Sequence, residues 1–189
     1  MLIFFGPVGA GKSTQGQMLA EKHGWLWLST GQMFRDSNDP EIQAKLDRGE
    51  LITDDITNQV VADKLDEVSQ CGEKGGLILD GYPRNLMQAE FLIQHETERC
   101  GNNNINLAIN IAVTKEETLK RLMLRARTDD TVEAIENRLE IYHSMTNPVL
   151  EYLTGQGVKV VHIDGSGTVD EIHARIEAAL ISYGVVSET

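Results

Sequence analysis

The residues best placed for chemistry stand near the start of the chain. Gly6-Pro7-Val8-Gly9-Ala10-Gly11-Lys12-Ser13 follows the apolar run Leu2-Ile3-Phe4-Phe5. The spacing is G-x-x-x-x-G-K-[ST], with a strand expected before it and a helix expected from Lys12 onward. Backbone N–H groups of such a turn converge with the positive end of the helix on one point, which suits a polyphosphate. At this spacing the lysine reaches the β- and γ-phosphates and the Ser13 hydroxyl sits on Mg²⁺. Glycine is needed because a Cβ would hold the phosphates away from the backbone.

A second anion-related group follows the run Gly76–Leu79, in Asp80-Gly81-Tyr82-Pro83-Arg84. A carboxylate at the end of a buried strand beside a phosphate loop suits a residue that orients Mg²⁺ through its waters. The same Asp80 could simply open a turn with Gly81. Arg121, Arg125, Arg127 and Arg138 form a third group. Each could be a solvated helical arginine paired with Glu116, Glu117 or Glu133. Converging on one cleft, they would neutralise charge between two phosphorylated substrates.

These groups need a scaffold. Leu2–Phe5, Trp25–Leu28, Gly76–Leu79, Leu107–Val113 and Val158–Ile163 read as short strands buried on both faces. Helix-spaced apolar positions recur over Lys12–His23, Asp54–Ser69, Leu86–Glu98, Lys115–Arg125, Asp130–Leu153 and Val169–Tyr183. The alternation implies an α/β fold with a parallel sheet and right-handed crossovers. Two features break the rhythm. Ser29–Arg35 and Asp39–Gly49 read as a small helical insertion, and Arg125–Asp130 as a charged hinge between two helices.

With 189 residues the chain suits one domain, and 41% hydrophobic with 24% charged residues is an ordinary globular composition. A net charge of −12 disfavours nucleic acid and anionic membranes as partners, so the positive charge that nucleotides require must be local. No stretch approaches the about twenty apolar residues of a membrane span, and the short N-terminal apolar run reads as a strand rather than a signal peptide. Cys71 and Cys100 suggest idle or structural thiols in a reducing cytoplasm. The five histidines show no ligand spacing, and Trp25 and Trp27 read as packing residues.

Taken in order, these motifs resemble the adenylate kinase family of nucleoside monophosphate kinases, from about Leu2 to Leu180. The resemblance rests on Lys12-Ser13-Thr14-Gln15, Ser29-Thr30-Gly31-Gln32-Met33-Phe34-Arg35, and Gly49-Glu50-Leu51-Ile52-Thr53-Asp54. It continues through Asp80–Arg84 with Gln88-Ala89, Arg127-Thr128-Asp129-Asp130, Arg138-Leu139 and Asp164-Gly165. It implies a three-layer P-loop NTPase fold with a five-stranded parallel sheet in one domain over 1–189. A nucleoside-monophosphate-binding insertion would occupy 29–54 and a minimal lid 124–130. The implied reaction is ATP + AMP ⇌ 2 ADP with Mg²⁺, which maintains adenine nucleotide balance.

Carried over motif by motif, Gly9, Ala10, Gly11, Lys12, Ser13 and Thr14 would bind the ATP phosphates. Arg121 and the backbone near Gly167 would meet the ATP adenine. Thr30, Arg35, the backbone of Glu50, Leu51 and Ile52, Gly81, Tyr82, Pro83, Arg84 and Gln88 would form the AMP site. Arg125, Arg127 and Arg138 would reach the phosphates from the lid side, and with Lys12 and Arg84 would be the catalytic residues. Ser13, and Asp80 through water, would hold Mg²⁺. Three features depart from the family pattern: Gln32 for aspartate, Val8 for proline with Ser13 for glycine, and a lid in which only Ala126 separates Arg125 from Arg127. Such a lid offers no zinc ligands. A monomer in the cytoplasm is expected. The nearest rival is a UMP/CMP kinase, in which the positions of Thr30 and Gln88 are usually alanine and asparagine. A nucleotide-dependent binding module without transfer activity is the rival from another class.

Overall fold

The strand ahead of the phosphate loop is the middle of the molecule. In the computed structural model, which describes residues 1–47, 52–68, 76–125 and 132–187, β1 (Leu2–Phe5) is buried along its whole length. It belongs to a five-stranded parallel sheet with β2 (Leu26–Ser29), β3 (Leu77–Asp80), β4 (Leu107–Ala112) and β5 (Val160–Asp164), in the order β2-β3-β1-β4-β5.

Side chains alternate across each strand, so the sheet buries two faces. Ile3, Phe5 and Leu79 pack on one side with Val61, Leu92 and Val149. Leu2, Phe4, Ile78 and Ile109 pack on the other with Leu19 and Ile176. The first face is covered by α4 (Asp54–Glu67), α5 (Leu86–Cys100) and α8 (Asn147–Gly155), the second by α1 (Lys12–His23) and α9 (Val169–Ser182). This is the three-layer arrangement expected of continuous apolar strands alternating with helices. Between β2 and α4 stand the short α2 (Thr30–Asp36) and α3 (Pro40–Asp47). A small third cluster joins α6 (Lys115–Arg125) and α7 (Val132–Ile141) through Leu122, Ile135 and Leu139, with Val8 of the phosphate loop against it.

Strands β2, β3 and β4 lie within a residue of the expected bounds, and larger departures occur elsewhere. The single helix expected over Asp130–Leu153 is broken: a π-helical turn, Tyr142–Thr146, separates α7 from α8. Pro148 in the first turn of α8 lacks an N–H, and both ends of the π turn are tied sideways. Tyr142 donates its hydroxyl to Asn110 Oδ1 on β4 at 2.6 Å, and Thr146 donates to the Arg84 carbonyl at 3.1 Å. Strand β5 starts at Val160 rather than Val158, because the Val158 N–H is taken by the Leu153 carbonyl at the end of α8. Cys100 is disulfide-bonded rather than an idle thiol, so the cysteine count carries no argument for a reducing compartment. Cys71 lies outside the described residues. No helix among the described residues is long and apolar enough to cross a membrane.

Candidate active site

The parallel order gathers all strand C-termini at one edge, and the switch between β1 and its neighbours opens a crevice there. The loop 6–11 leaves β1 at that edge and delivers α1, whose first turn contains no acidic residue to offset its positive end. Gly9 has φ +78°, and a Cβ there would press on Leu122 at 3.1 Å. Glycine at this position therefore lets the loop lie against α6. The Lys12 ammonium folds back over the loop, donating to the carbonyls of Gly6 at 2.6 Å and Pro7 at 2.9 Å.

Asp80 ends β3, next to β1, and is buried. The Ser13 hydroxyl donates to its Oδ2 at 2.6 Å. One hydroxyl and one carboxylate are oxygen donors of the type Mg²⁺ takes. Among the described residues no group of three His, Cys, Asp or Glu side chains is gathered. The donor set therefore fits an ion held mainly by substrate phosphates and water, the usual arrangement for Mg²⁺.

The pairing of Ser29 with Asp80 sets the start of α2 beside the turn after β3. Thr30 and Arg84 both donate to the Gly81 carbonyl, at 3.0 and 2.7 Å. Gly81 has φ +80°, and a Cβ on it would meet Thr30 Oγ1 at 3.0 Å and Arg84 Nη2 at 3.3 Å. The Tyr82–Pro83 peptide is cis. The Tyr82 ring is a core residue, and its hydroxyl donates to Asn58 Oδ1 at 2.6 Å. Burial, with the Asp54 charge adding, pushes the Tyr82 phenol well above its ordinary value. The ring and hydroxyl of Tyr82 are therefore committed to the core.

Gln88 is buried, and its amide is engaged at both ends. Its Oε1 accepts from the Arg84 N–H at 2.8 Å, and its Nε2 donates to Asp54 Oδ1 at 2.7 Å. Asn85, the N-cap of α5, donates to both Asp54 oxygens. The sequence motifs assign no role to Asp54 or Asn85, although Asn85 three residues before Gln88 has the form of a helix cap. Arg35 is exposed and donates to Gln32 Oε1 at 2.8 Å. Ile52 stands half-buried just ahead of α4.

On α6, Arg121 donates to Glu117 at 2.8 Å and to the Gly165 carbonyl at 2.7 Å. This brings it to the loop that contains Gly167. A capping box formed by Thr168 and Glu171 closes that loop onto α9. Arg125 ends α6 and Arg138 lies on α7, but their side chains are not described. Glu50, Leu51, Arg127 and most of the expected lid 124–130 lie outside the described residues.

Comparison with known proteins places the chain in a family. The family model described as Adenylate kinase matches residues 4–158. The chain is 43% identical over 185 residues to a protein named Adenylate kinase from Mycobacterium marinum, covering 95% of this chain and 98% of that one. It is 40% identical over 185 residues to the Mycobacterium tuberculosis protein of that name, with the same coverage of each. To the Maricaulis maris protein of that name it is 37% identical over 189 residues, covering 95% of this chain and 97% of that one. The matched stretch includes the phosphate loop, Asp80 and the turn that follows it, and the chain belongs to the adenylate kinase family.

Proposed function

We propose that the two half-sites carry out ATP + AMP ⇌ 2 ADP in this way. The observation that carries the assignment of roles is the meeting of Ser13, next to Lys12, with Asp80, which leads directly into the Gly81–Arg84 turn. An AMP phosphate oxygen attacks the γ-phosphorus of ATP. The bond from that phosphorus to the β,γ-bridging oxygen breaks, and ADP leaves from each side. The nucleophile is already an anion, so no protein base is needed.

Lys12 exchanges the Gly6 and Pro7 carbonyls for phosphate oxygens, which supplies charge where it develops during transfer. Ala10, Gly11, Ser13 and Thr14 surround the triphosphate with Gly9. Ser13, with Asp80 through water, would hold Mg²⁺, which neutralises the β- and γ-oxygens when bound. Arg84 and Arg35 face the AMP phosphate with Thr30 and the backbone of Gly81 to Pro83. Arg125, Arg127 and Arg138 complete the charge from the lid, and Glu50 to Ile52 line the acceptor. Arg121 and Gly167 meet the ATP base.

AMP is the acceptor. Thr30 and Gln88 support this, since an amide offers one donor and one acceptor to the adenine edge. Gln88 must release Asp54 or the Arg84 N–H to do so. The relatives are named adenylate kinases, and nothing favours the UMP/CMP alternative. We further infer a monomer, because the groups assigned to the two half-sites are all supplied by one chain, and sedimentation tests this; a place in the cytoplasm rests on the family resemblance alone.

A coupled assay with ATP and AMP, UMP or CMP tests the function. AMP should lead by at least about tenfold in kcat/KM, the scale of one or two mispaired buried polar groups. Lys12→Met should fold normally and lose at least about a hundredfold in kcat. Equal use of UMP would overturn the acceptor assignment. A near-native rate in folded Lys12→Met would overturn the mechanism.

A further inference from the structure

Gln15 follows the phosphate-loop motif in the first turn of α1 and is buried, at 1% exposure. Its backbone N–H bonds the Gly11 carbonyl at 3.0 Å, so its position is that of the loop. Its side chain points away from the phosphates, into the seam between α1 and α9. There Nε2 donates to the Val169 carbonyl at 2.8 Å. Val169 is the first residue of α9, directly after the loop 165–168.

That bond fixes the amide. Oε1 is left facing His173 Nδ1 at 3.1 Å, and a carbonyl oxygen can only accept, so Nδ1 carries a hydrogen. The seam is closed one turn further on. Glu177 Oε1 accepts from Lys22 at 3.1 Å and His23 at 2.8 Å, both in the last turn of α1.

We propose that Gln15 and His173 are positioning residues for ATP, holding the phosphate loop and the loop 165–168 at the spacing one bound nucleotide must bridge. This rests on the reading that the triphosphate lies at Lys12 and the base at Arg121 and Gly167. The far ends of these two loops are held separately. The first is held by β1, the second by Arg121 and by Arg175, which donates to the Asp164 and Ser166 carbonyls. The Gln15 amide ties the near ends to each other. Without it the two subsites are free to shift, and binding must pay for ordering them. The loss falls on ground state and transition state alike, so it belongs in ATP affinity rather than in kcat.

The tie does not depend on the charge of His173. Lys22, His23 and Gln15 face it from α1, and Asp170 and Glu177 from its own helix. Neutral with the hydrogen on Nδ1, or fully protonated, the ring keeps the N–H that Gln15 accepts.

ATP binding to the full chain, measured by titration calorimetry, tests this together with steady-state kinetics. In His173→Leu the Kd for ATP should rise about fivefold, the scale of one hydrogen bond. KM for AMP and kcat should stay within about twofold. His173→Asn sets a side-chain N–H close to the place of Nδ1–H and should restore wild-type affinity. The ratio of the two Kd values, wild type to His173→Leu, should be flat from about pH 5.5 to about pH 8. Gln15→Leu combined with His173→Leu should be no worse than Gln15→Leu alone.

The proposal is overturned by equal losses for ATP and AMP, by a lowered Tm with unchanged ATP affinity, by additive effects in the double variant, or by failure of His173→Asn to restore binding. Calorimetry needs no turnover. If the wild type failed to phosphorylate AMP, the functional reading would fall while ATP binding still decided the role of the tie.

Discussion

Ser13 and Asp80, 67 residues apart in sequence, share a 2.6 Å hydrogen bond at the edge of the sheet. The bond joins the phosphate loop to the strand beside it, and both partners are oxygen donors. Asp80 is buried, so its charge acts on the loop through little water. Asp80→Asn keeps an acceptor for Ser13 and removes the charge. The Mg²⁺ concentration for half-maximal activity should rise by about tenfold or more, the usual scale for a group acting on a metal through its waters. Titration of activity against free Mg²⁺ checks this, and an unchanged curve would remove Asp80 from the metal site.

Gly81 is the joint between the two sides of the acceptor turn. Its φ of +80° is strained for any residue with a Cβ, and that atom would crowd Thr30 Oγ1 and Arg84 Nη2. Gly81→Ala should cost roughly 1–3 kcal/mol of stability from the backbone alone. It should also raise KM for AMP, because both displaced groups are ones proposed to hold AMP, while ATP affinity stays near the wild-type value. Thermal unfolding and the two KM values test this. A variant with unchanged Tm and unchanged KM for AMP would show that the turn is not fixed as described.

Much of this was legible in the sequence because the signals were local. The run Leu2–Phe5, the loop that follows and the start of α1 at Lys12 form a strand, turn and helix set by adjacent residues. The break at Tyr142–Thr146 was not legible. Its apolar spacing continues a helix, and what opens the turn is a pair of tertiary bonds, to Asn110 on β4 and to the Arg84 carbonyl. Asn110 Nδ2 in turn meets His162 Nδ1 on β5 at 3.0 Å. Burial pushes the Tyr142 phenol up to about 12, against the bond to Asn110. No spacing rule shows such a chain of contacts. The same is true of Gln88, whose type suggested a base contact but whose amide is shared between Arg84 and Asp54. His173 had no motif at all, and it acquires a role only when α1 and α9 are packed together.

Glu177 gives a pH dependence. Burial raises its carboxyl, but the hydrogen bonds and charges of His23 and Lys22 outweigh this and hold it below its ordinary value of 4.5. A carboxyl so lowered binds fewer protons folded than unfolded. Its stabilisation is therefore full above about pH 4.5 and is lost as pH falls through the lower folded value. Glu177→Gln should melt below the wild type by about 3 °C at neutral pH. The gap should narrow as pH falls below the ordinary carboxylate range. A gap independent of pH would mean that the side chain acts by packing alone.

Motion follows from the placement of charge. Arg35 stands exposed on the insertion, where the neutral Gln32 amide rather than a carboxylate receives its guanidinium. Arg125 and Arg127 stand on the opposite side in sequence, at the hinge between α6 and α7. Like charges on the two segments should repel where no anion neutralises them, so an open cleft is the expected state without ligand. A ligand with several phosphates supplies the opposite charge and draws the sides together. Because the link between α6 and α7 is short, most of the travel should belong to the insertion over 29–54 and to tilting of the flanking helices. Two adenosines joined through a phosphate chain would occupy both half-sites at once. At saturation this analogue should slow hydrogen exchange in 29–54 and in 125–130. Strands β1 and β3, already buried on both faces, should exchange as before. Exchange in the two segments that is identical with and without the analogue would show that closure is not how the reacting phosphates are shielded from water.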